Sequence, residues 1–448
     1  MNKTKFFNTD SADITNDISK LKTMLSSLNT QDITEIFEEL NKEEVIKIFR
    51  ILPKDIASDV FAYMDSDHQH FIIEALTDLE IGEIMSKLFV DDAVDFIEEM
   101  PASVVKRVLK NVAQEKRALI NQILQYPDDS AGSIMTTEYV SLHEDATVQE
   151  AFDTIRNIGL KKETIYTCYV ISRDQVLLGV VSAKSLMLAR PDDRISDLMS
   201  ANPVFAHTTD DQEAVANLFQ RYGFLAMPVV DKEQRLVGII TVDDIVEVIV
   251  EESTEDIEKM GALAPSDEPY LKTGIFRLAR NRILWLMILM LSATITGSII
   301  LSFESNLAVL PILMSFIPML MDTAGNAGSQ ASTLIIRGMA VGEIRLKDFA
   351  RVMWREIRVG AICGLVLGLI NLVRVYIMNG RNLMLSITIT LSLFCTILMA
   401  KTIGSLLPIL AKRIKIDPAI MAAPMITTIV DAGALIVYFS MAKLFLGF

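Results

Sequence analysis

The chain has 448 residues and a formal charge of −15, an average over two unlike halves. Residues 271–448 hold 17 Lys and Arg against 7 Asp and Glu, leaving 25 basic against 50 acidic residues in 1–270. So acidic a soluble half lacks the basic footprint of a nucleic-acid binder and suits metal cations or basic partners. Cys168, Cys363 and Cys395 lie far apart with no CxxC, which excludes a zinc knuckle or a disulfide framework.

Residues 1–19 form a polar N-terminal arm without the apolar core of a signal peptide, so the soluble half is expected to stay in the cytoplasm. From 20 to 130 the chain reads as short helical blocks punctuated by prolines and acidic turns. Pro53-Lys54-Asp55 precedes a helix over Ile56–Met64, and Val90-Asp91-Asp92 precedes one over Ala93–Met100. Apolar residues recur at spacings of three and four, and no block is long, which predicts an all-α helical solenoid.

Residues 131–252 contain an internal duplication. Met135, Asp145-Ala146-Thr147-Val148, Tyr166–Ile171 and Gly179-Val180-Val181-Ser182 form the first series. Met199, Asp210–Val215, Met227–Val230 and Gly238-Ile239-Ile240-Thr241 repeat it. This helix–strand–turn–strand–helix order resembles a pair of α/β CBS modules, over 131–196 and 197–246. The resemblance implies a regulatory disc that senses nucleotides or ions and dimerises. Thr241 and Asp244 fit the ribose-binding pattern of such modules and imply ATP. The first copy, Ser182-Ala183-Lys184-Ser185, lacks the acid. A charged helix over Asp243–Lys259 follows, ending at Gly261. Its acid stripe, Glu247, Glu251, Glu255 and Glu258, makes residues 247–270 a connecting rod and linker.

Five apolar spans are predicted in 271–448: Ile283–Phe303, Leu307–Ile336, Val359–Tyr376, Leu383–Leu410 and Ala419–Leu446. A bilayer crossing needs about 20 residues at about 1.5 Å each. Basic residues collect before the first span (Lys272, Arg277, Arg280, Arg282), between the second and third (Arg337 to Arg358), and between the fourth and fifth (Lys412, Arg413, Lys415). All three clusters fall on one side, which predicts a cytoplasmic N-terminus and places Phe448 outside.

Asp431 lies near the middle of the last span, with no lysine or arginine at matching depth in that span. An ionised group there costs roughly 2.5–3.5 kcal/mol, so it belongs beside a wet cavity or a partner. Thr427 and Thr428 stand one turn earlier, and hydroxyls with a carboxylate suit a hard cation. Pro424 is expected to kink this helix. The second span carries Asp322-Thr323-Ala324-Gly325-Asn326-Ala327-Gly328-Ser329-Gln330. It reads either as a close helix–helix seam or as glycine breaks that bare carbonyls to a water-filled path. Asp322 adds a second acid.

Gly325-Asn326-Ala327-Gly328-Ser329-Gln330, the ending Asp417-Pro418…Pro424…Thr427-Thr428…Asp431…Gly433…Tyr438-Phe439, the CBS pair and the five spans together resemble the MgtE family of magnesium channels. The resemblance implies a homodimer with a pore on its two-fold axis, lined by Gly325, Asn326, Thr427 and one Asp431 per protomer holding hydrated Mg²⁺. It also implies closure by cytoplasmic Mg²⁺ bound at Asp59, Asp91 and Asp95, at Asp211, Glu213, Asp244 and Glu247, at Glu252, Glu255 and Asp256, and at Asp417. Two carboxylates about 8 Å apart repel by about 2 kcal/mol at an effective dielectric of about 20, and a dication between them reverses the sign. The chain departs from many relatives at Ala324, Ala423 and Gly223, which bears on selectivity among Mg²⁺, Co²⁺, Mn²⁺ and Ni²⁺ and on one regulatory site.

An intramembrane metalloprotease needs His-Glu-x-x-His, but His68, His70, His143 and His207 all precede the apolar half. A chloride channel would carry its CBS modules after more numerous spans. No enzymatic role is expected; a broader divalent-cation carrier or a proton-coupled one are the other readings.

Overall fold

The computed structural model describes residues 18–266, 270–271, 273–304, 310–378, 380–421 and 423–447. Most of the N-terminal arm, the start of the second span at Leu307, Lys272 and Phe448 lie outside the described residues. The chain divides into two compact units, Met1–Ile249 and Val250–Phe448.

Among its described residues the first unit begins with nine short helices: α1 (Ile18–Leu25), α2 (Thr30–Glu38), α3 (Lys42–Ile51), α4 (Lys54–Ala62), α5 (Ser66–Ala75), α6 (Asp78–Lys87), α7 (Val90–Glu98), α8 (Ala102–Asn111) and α9 (Gln114–Ile123). Local chemistry sets their starts. Asn41 with Glu44 and Thr77 with Glu80 form capping boxes, and Pro53 and Pro101 stand at N-cap positions. α4 and α7 begin two and three residues earlier than their hydrophobic pattern suggests. Asp55, Asp91 and Asp92 therefore lie in first helical turns, where the helix dipole favours carboxylates. One apolar core joins them, with Phe61 edge-on to Phe96 at 5.1 Å.

Two small sheets follow. In the first, β1 (Ser141–His143) pairs parallel with β2 (Thr167–Ile171), then β3 (Leu177–Ser182) and β4 (Ser200–Ala201) add antiparallel. In the second, β5 (Ala206–His207) pairs parallel with β6 (Ala226–Val230), and β7 (Leu236–Thr241) adds antiparallel. The register shifts between Val170 and Ile171 and again between Val229 and Val230, so the duplication extends to backbone detail. Helices α10 (Val148–Ile158), α11 (Ala183–Leu188), α12 (Ile195–Leu198) and α13 (Gln212–Tyr222) accompany the sheets.

The repeated motif residues interlock the copies. A β-carbon on Gly238 would lie 2.6 Å from the Met135 sulfur, and one on Gly179 would lie 2.9 Å from the Met199 sulfur. Each copy's leading methionine thus packs on the other copy's glycine. Thr136 also bridges to Ile239 through the backbone, while β4, just after Met199, pairs with β3.

α14 (Val242–Met260) runs across the division between the two units. The second unit contains α15 (Ile275–Ser302), α16 (Ile317–Ala340), α17 (Phe349–Met378), α18 (Leu383–Arg413) and α19 (Ala423–Leu446). Short 3₁₀ turns at Pro311–Phe316 and Pro418–Met421 lead into α16 and α19. Among the described residues four stretches are long and apolar enough to cross a membrane: α15, Leu346–Met378, α18 and Pro418–Leu446. α16 is not one of them, because its middle is small and polar from Asp322 to Gln330. α18 is the most buried, packing against α16, α17 and α19.

One sequence alternative is decided here and one expectation changes. α16 runs unbroken through Gly325-Asn326-Ala327-Gly328, so its glycines allow close approach instead of breaking the helix. Pro424 lies in the first turn of α19, where its missing N–H is harmless, and so does not kink it.

Candidate cation sites

The second unit presents a polar seam between α16 and α19. On α16, Ala324, Gly325, Ala327, Gly328, Ala331 and Ser332 are buried, while Asp322, Asn326 and Gln330 stay exposed in the single chain. A β-carbon on Gly404 of α18 would lie 2.2 Å from the Gly328 carbonyl oxygen, so two glycines let these backbones touch. A β-carbon on Gly325 would lie 2.9 Å from Thr427 Cγ2 and 3.8 Å from Asp431 Oδ1, which sets α16 directly against the acid of α19. Ser332 Oγ donates to the Met421 carbonyl at 2.9 Å and ties the start of α19 to the same helix.

Thr427 and Thr428 both donate to the Pro424 carbonyl, at 2.9 and 3.0 Å, so their oxygen lone pairs remain free to accept. Asp431 is half-buried and, among the described residues, accepts no hydrogen bond; Asn326 does not reach it. Asp322 lies within Coulombic range of Asp431. The other end of α19 is held by Tyr438, whose hydroxyl donates to the Leu313 carbonyl at 2.9 Å, and by Phe439 stacked on Phe303 at 4.5 Å. Tyr438 and Phe439 are therefore anchors for the helix that carries Asp431.

A second group of acids belongs to the first unit. Asp91 is buried, and loss of hydration, then Asp92, Asp244 and Glu163, hold its pKa well above the usual carboxyl range. Burial first, then neighbouring acids, raise Asp92 and Asp244 to about 6 and Glu163 to about 8. Asp95 keeps an exposed side, yet restricted hydration and the charges of Asp92 and Asp244 push it to about 8. Asp59 and Glu247, both more exposed, are raised chiefly by partial burial. Glu163 Oε2 is buried with no hydrogen-bond partner among the described residues.

Lys116 is the near cation, with Asp91, Asp92 and Glu138 around it. Burial lowers its pKa, and its ammonium bonds the Leu88 carbonyl. Asp92, Glu163 and Lys116 were not singled out from sequence. Asp92 adjoins Asp91 in the chain and could have been; Glu163 reaches the group only through the fold.

Asp244 also accepts from Thr241 Oγ1 at 2.6 Å, so the pair read as an ATP site is bonded to itself. Asp211 and Glu213 stand apart from these acids in role: Asp211 caps α13 through the N–H groups of Glu213 and Ala214. Gly223 ends that helix in the left-handed region at φ +67°, a conformation that disfavours an acid there.

In the second unit Glu255, Asp256 and Asp417 come together around Lys259, while Glu252 lies half-exposed one turn earlier on α14. Among the described residues no three His, Cys, Asp or Glu side chains converge tightly enough to grip a bare metal ion.

Comparison with known proteins places these features. Residues 317–441 match the MgtE family described as divalent cation transporter, 28–129 the MgtE intracellular N domain, and 131–192 and 195–251 the CBS domain. The chain is 36% identical to the magnesium transporter MgtE of Thermus thermophilus over 434 residues, 96% of each chain. It is 32% identical to the magnesium transporter MgtE of Bacillus subtilis over 433 residues, 96% of this chain and 94% of that one. A crystal structure of the cytosolic domain of the Mg²⁺ channel MgtE in complex with ATP superposes with a TM-score of 0.51 at 34% identity. It covers 53% of this chain and 97% of that one.

Proposed function

The chain belongs to the MgtE family of divalent cation transporters, and from that premise we propose that it conducts Mg²⁺ across the cell membrane and is closed by cytoplasmic Mg²⁺. The observation that carries this reading is the seam between α16 and α19. A mid-helix carboxylate, Asp431, stands there without a hydrogen-bond donor among the described residues, facing Gly325 and flanked by Thr427. Such a group needs water or a cation.

Mg²⁺ gives up its hydration shell reluctantly and usually keeps several waters. A path for the hydrated ion therefore needs accepting oxygens at longer range, and Thr427, Asn326 and Asp431 supply them. In this reading two protomers pair, each contributes one Asp431, and the doubled charge favours a dication over a monovalent ion.

Closure is assigned to the acidic surfaces. Asp91, Asp95, Asp244 and Glu247, with Asp59 at the margin, form a group whose mutual repulsion a divalent ion relieves. Asp211 and Glu213 contribute at the CBS surface, and Glu252, Glu255, Asp256 and Asp417 along the connecting helix. ATP at Thr241 and Asp244 is a further proposed ligand, supported by the nucleotide-bound relative. The soluble domains are placed on the cytoplasmic side.

The test is Mg²⁺ uptake by proteoliposomes with wild type and Asp431→Ala side by side. Uptake should fall to the level of empty vesicles in the variant. Full uptake without the Asp431 carboxylate would overturn the pathway. Insensitivity of wild-type flux to a pH gradient separates a channel from a proton-coupled carrier.

A further inference from the structure

Lys259, in the last turn of α14, ties that helix to the loop that opens the final span. Its ammonium donates to Glu255 Oε1 at 2.6 Å, one turn back on the same helix, and to Asp417 Oδ2 at 2.7 Å. Asp417 is itself fixed in place: its Oδ1 accepts the Ala419 N–H at 2.8 Å, so one carboxylate both caps the Pro418–Met421 turn and receives the lysine. The lysine side chain is 21% exposed. Burial alone would lower its pKa, but the bonds to Asp417 and Glu255 raise it on balance, so the ammonium stays charged. Asp256 adjoins the same bridge, its pKa raised by burial and then by Asp417.

We infer that Lys259 is a built-in counter-ion: it takes, between Glu255 and Asp417, the position a regulatory divalent cation would occupy, and so holds the connecting helix to the start of the last span without Mg²⁺. The inference rests on the closure reading above and deepens it. Glu255, Asp256 and Asp417 are among the acids assigned to Mg²⁺, but Glu255 and Asp417 are already bridged by a side chain of the chain itself.

The electrostatic consequence has a definite direction. Three carboxylates and one ammonium leave this group two charges short of neutral. Removing the ammonium leaves three mutually repelling acids, with no bond between α14 and Asp417. When Mg²⁺ is scarce, the contact should then open. When Mg²⁺ is abundant, the freed oxygens should bind it better than before. Lys259 thus makes closure at this layer less dependent on Mg²⁺. An exposed ion pair would do little of this, but here one ammonium joins two separate segments from a mostly buried position. It is a positioning residue for the gate and touches no permeating ion.

The experiment compares wild type, Lys259→Gln, Lys259→Arg and the exchange variant Lys259→Asp with Asp417→Lys, with flux recorded while internal Mg²⁺ is varied. Lys259→Gln should raise flux at nominally zero internal Mg²⁺ by about fivefold, the scale of losing one well-placed bridge, and should steepen the inhibition curve. Its flux at saturating Mg²⁺ should converge on wild type. Arginine and the exchange variant should restore wild-type behaviour at low Mg²⁺.

Two results overturn the proposal: a Lys259→Gln curve that follows wild type at every Mg²⁺ level, or an arginine variant as defective as glutamine. A second measurement reads the contact without transport. Lys259→Cys with Asp417→Cys should be joined by a short bifunctional thiol reagent in the intact protein, and failure to join also sinks the idea. Asp431→Ala run in parallel separates the two readings: wild-type flux there removes the pathway, whereas the cross-link still reports on Lys259.

Discussion

Asp91, Asp92, Asp95, Glu163 and Asp244 gather with Lys116 beside Asp91 and Asp92, whereas Glu255, Asp256 and Asp417 gather around Lys259. The lysines differ more than the acids do. Lys116 spends its ammonium on a backbone carbonyl, and burial lowers its pKa. Lys259 bonds two carboxylates directly, and its pKa rises. In the first group burial, and after it the neighbouring acids, leaves carboxyl groups that hold their protons into the neutral range. The second has much of its repulsion cancelled from within. A soluble cation therefore has most to offer the first group.

The sharpest way to break that contrast is to neutralise the first group by mutation. Asp91→Asn with Asp95→Asn should raise the Mg²⁺ concentration needed for closure by roughly tenfold, the equivalent of one strong charge contact. The same change at Glu255 should do less, because Lys259 already answers it. Patch recordings with internal Mg²⁺ varied would decide, and an unchanged midpoint in the double variant would remove these acids from the gate.

Titration gives the next largest effect. These carboxyls hold protons more tightly than ordinary ones, so the stability this contributes is fully present below the usual values of 3.8 to 4.5. It is lost as pH rises through about 6 for Asp92 and Asp244 and about 8 for Asp95 and Glu163. The Tm of divalent-free protein should accordingly fall between pH 6 and 8.5, and saturating Mg²⁺ should flatten the dependence. A Tm that rises across that window would contradict the assignment.

The smallest effect is at Glu163. Above about pH 8 Glu163 must ionise with its Oε2 lacking a partner among the described residues, so at pH 8.5 Glu163→Gln should raise the divalent-free Tm by about 2–4 °C, the shift expected for about 1 kcal/mol in a domain of this size. Differential scanning calorimetry in chelator would detect it.

Much of the architecture could be read along the chain because it follows from local pattern. Short amphipathic blocks with Pro53, Pro101 and capping residues give the solenoid, and the paired Met–Gly series announces the duplication. Asp431 was legible because a lone carboxylate in an apolar run has few uses. What the pattern could not carry was anything decided by packing between distant segments. Gly325 and Gly328 are compatible with either a broken or a continuous helix, and only the approach of Thr427 and Gly404 shows which. Glu163 and Lys116 look like ordinary surface charges until the fold brings them beside Asp92. Lys259 reads as a helix-end lysine, and its partner at Asp417 is 158 residues away.

The crossed methionines of the two CBS copies bear on how this half of the molecule can respond to a ligand. Because Met135 plugs the second sheet and Met199 plugs the first, neither copy has a complete surface of its own, and severing them would leave two open edges in place of two small domains. Strain introduced in one copy should therefore reach the other, so the pair should answer a ligand as one stiff body, with no private hinge to absorb the signal.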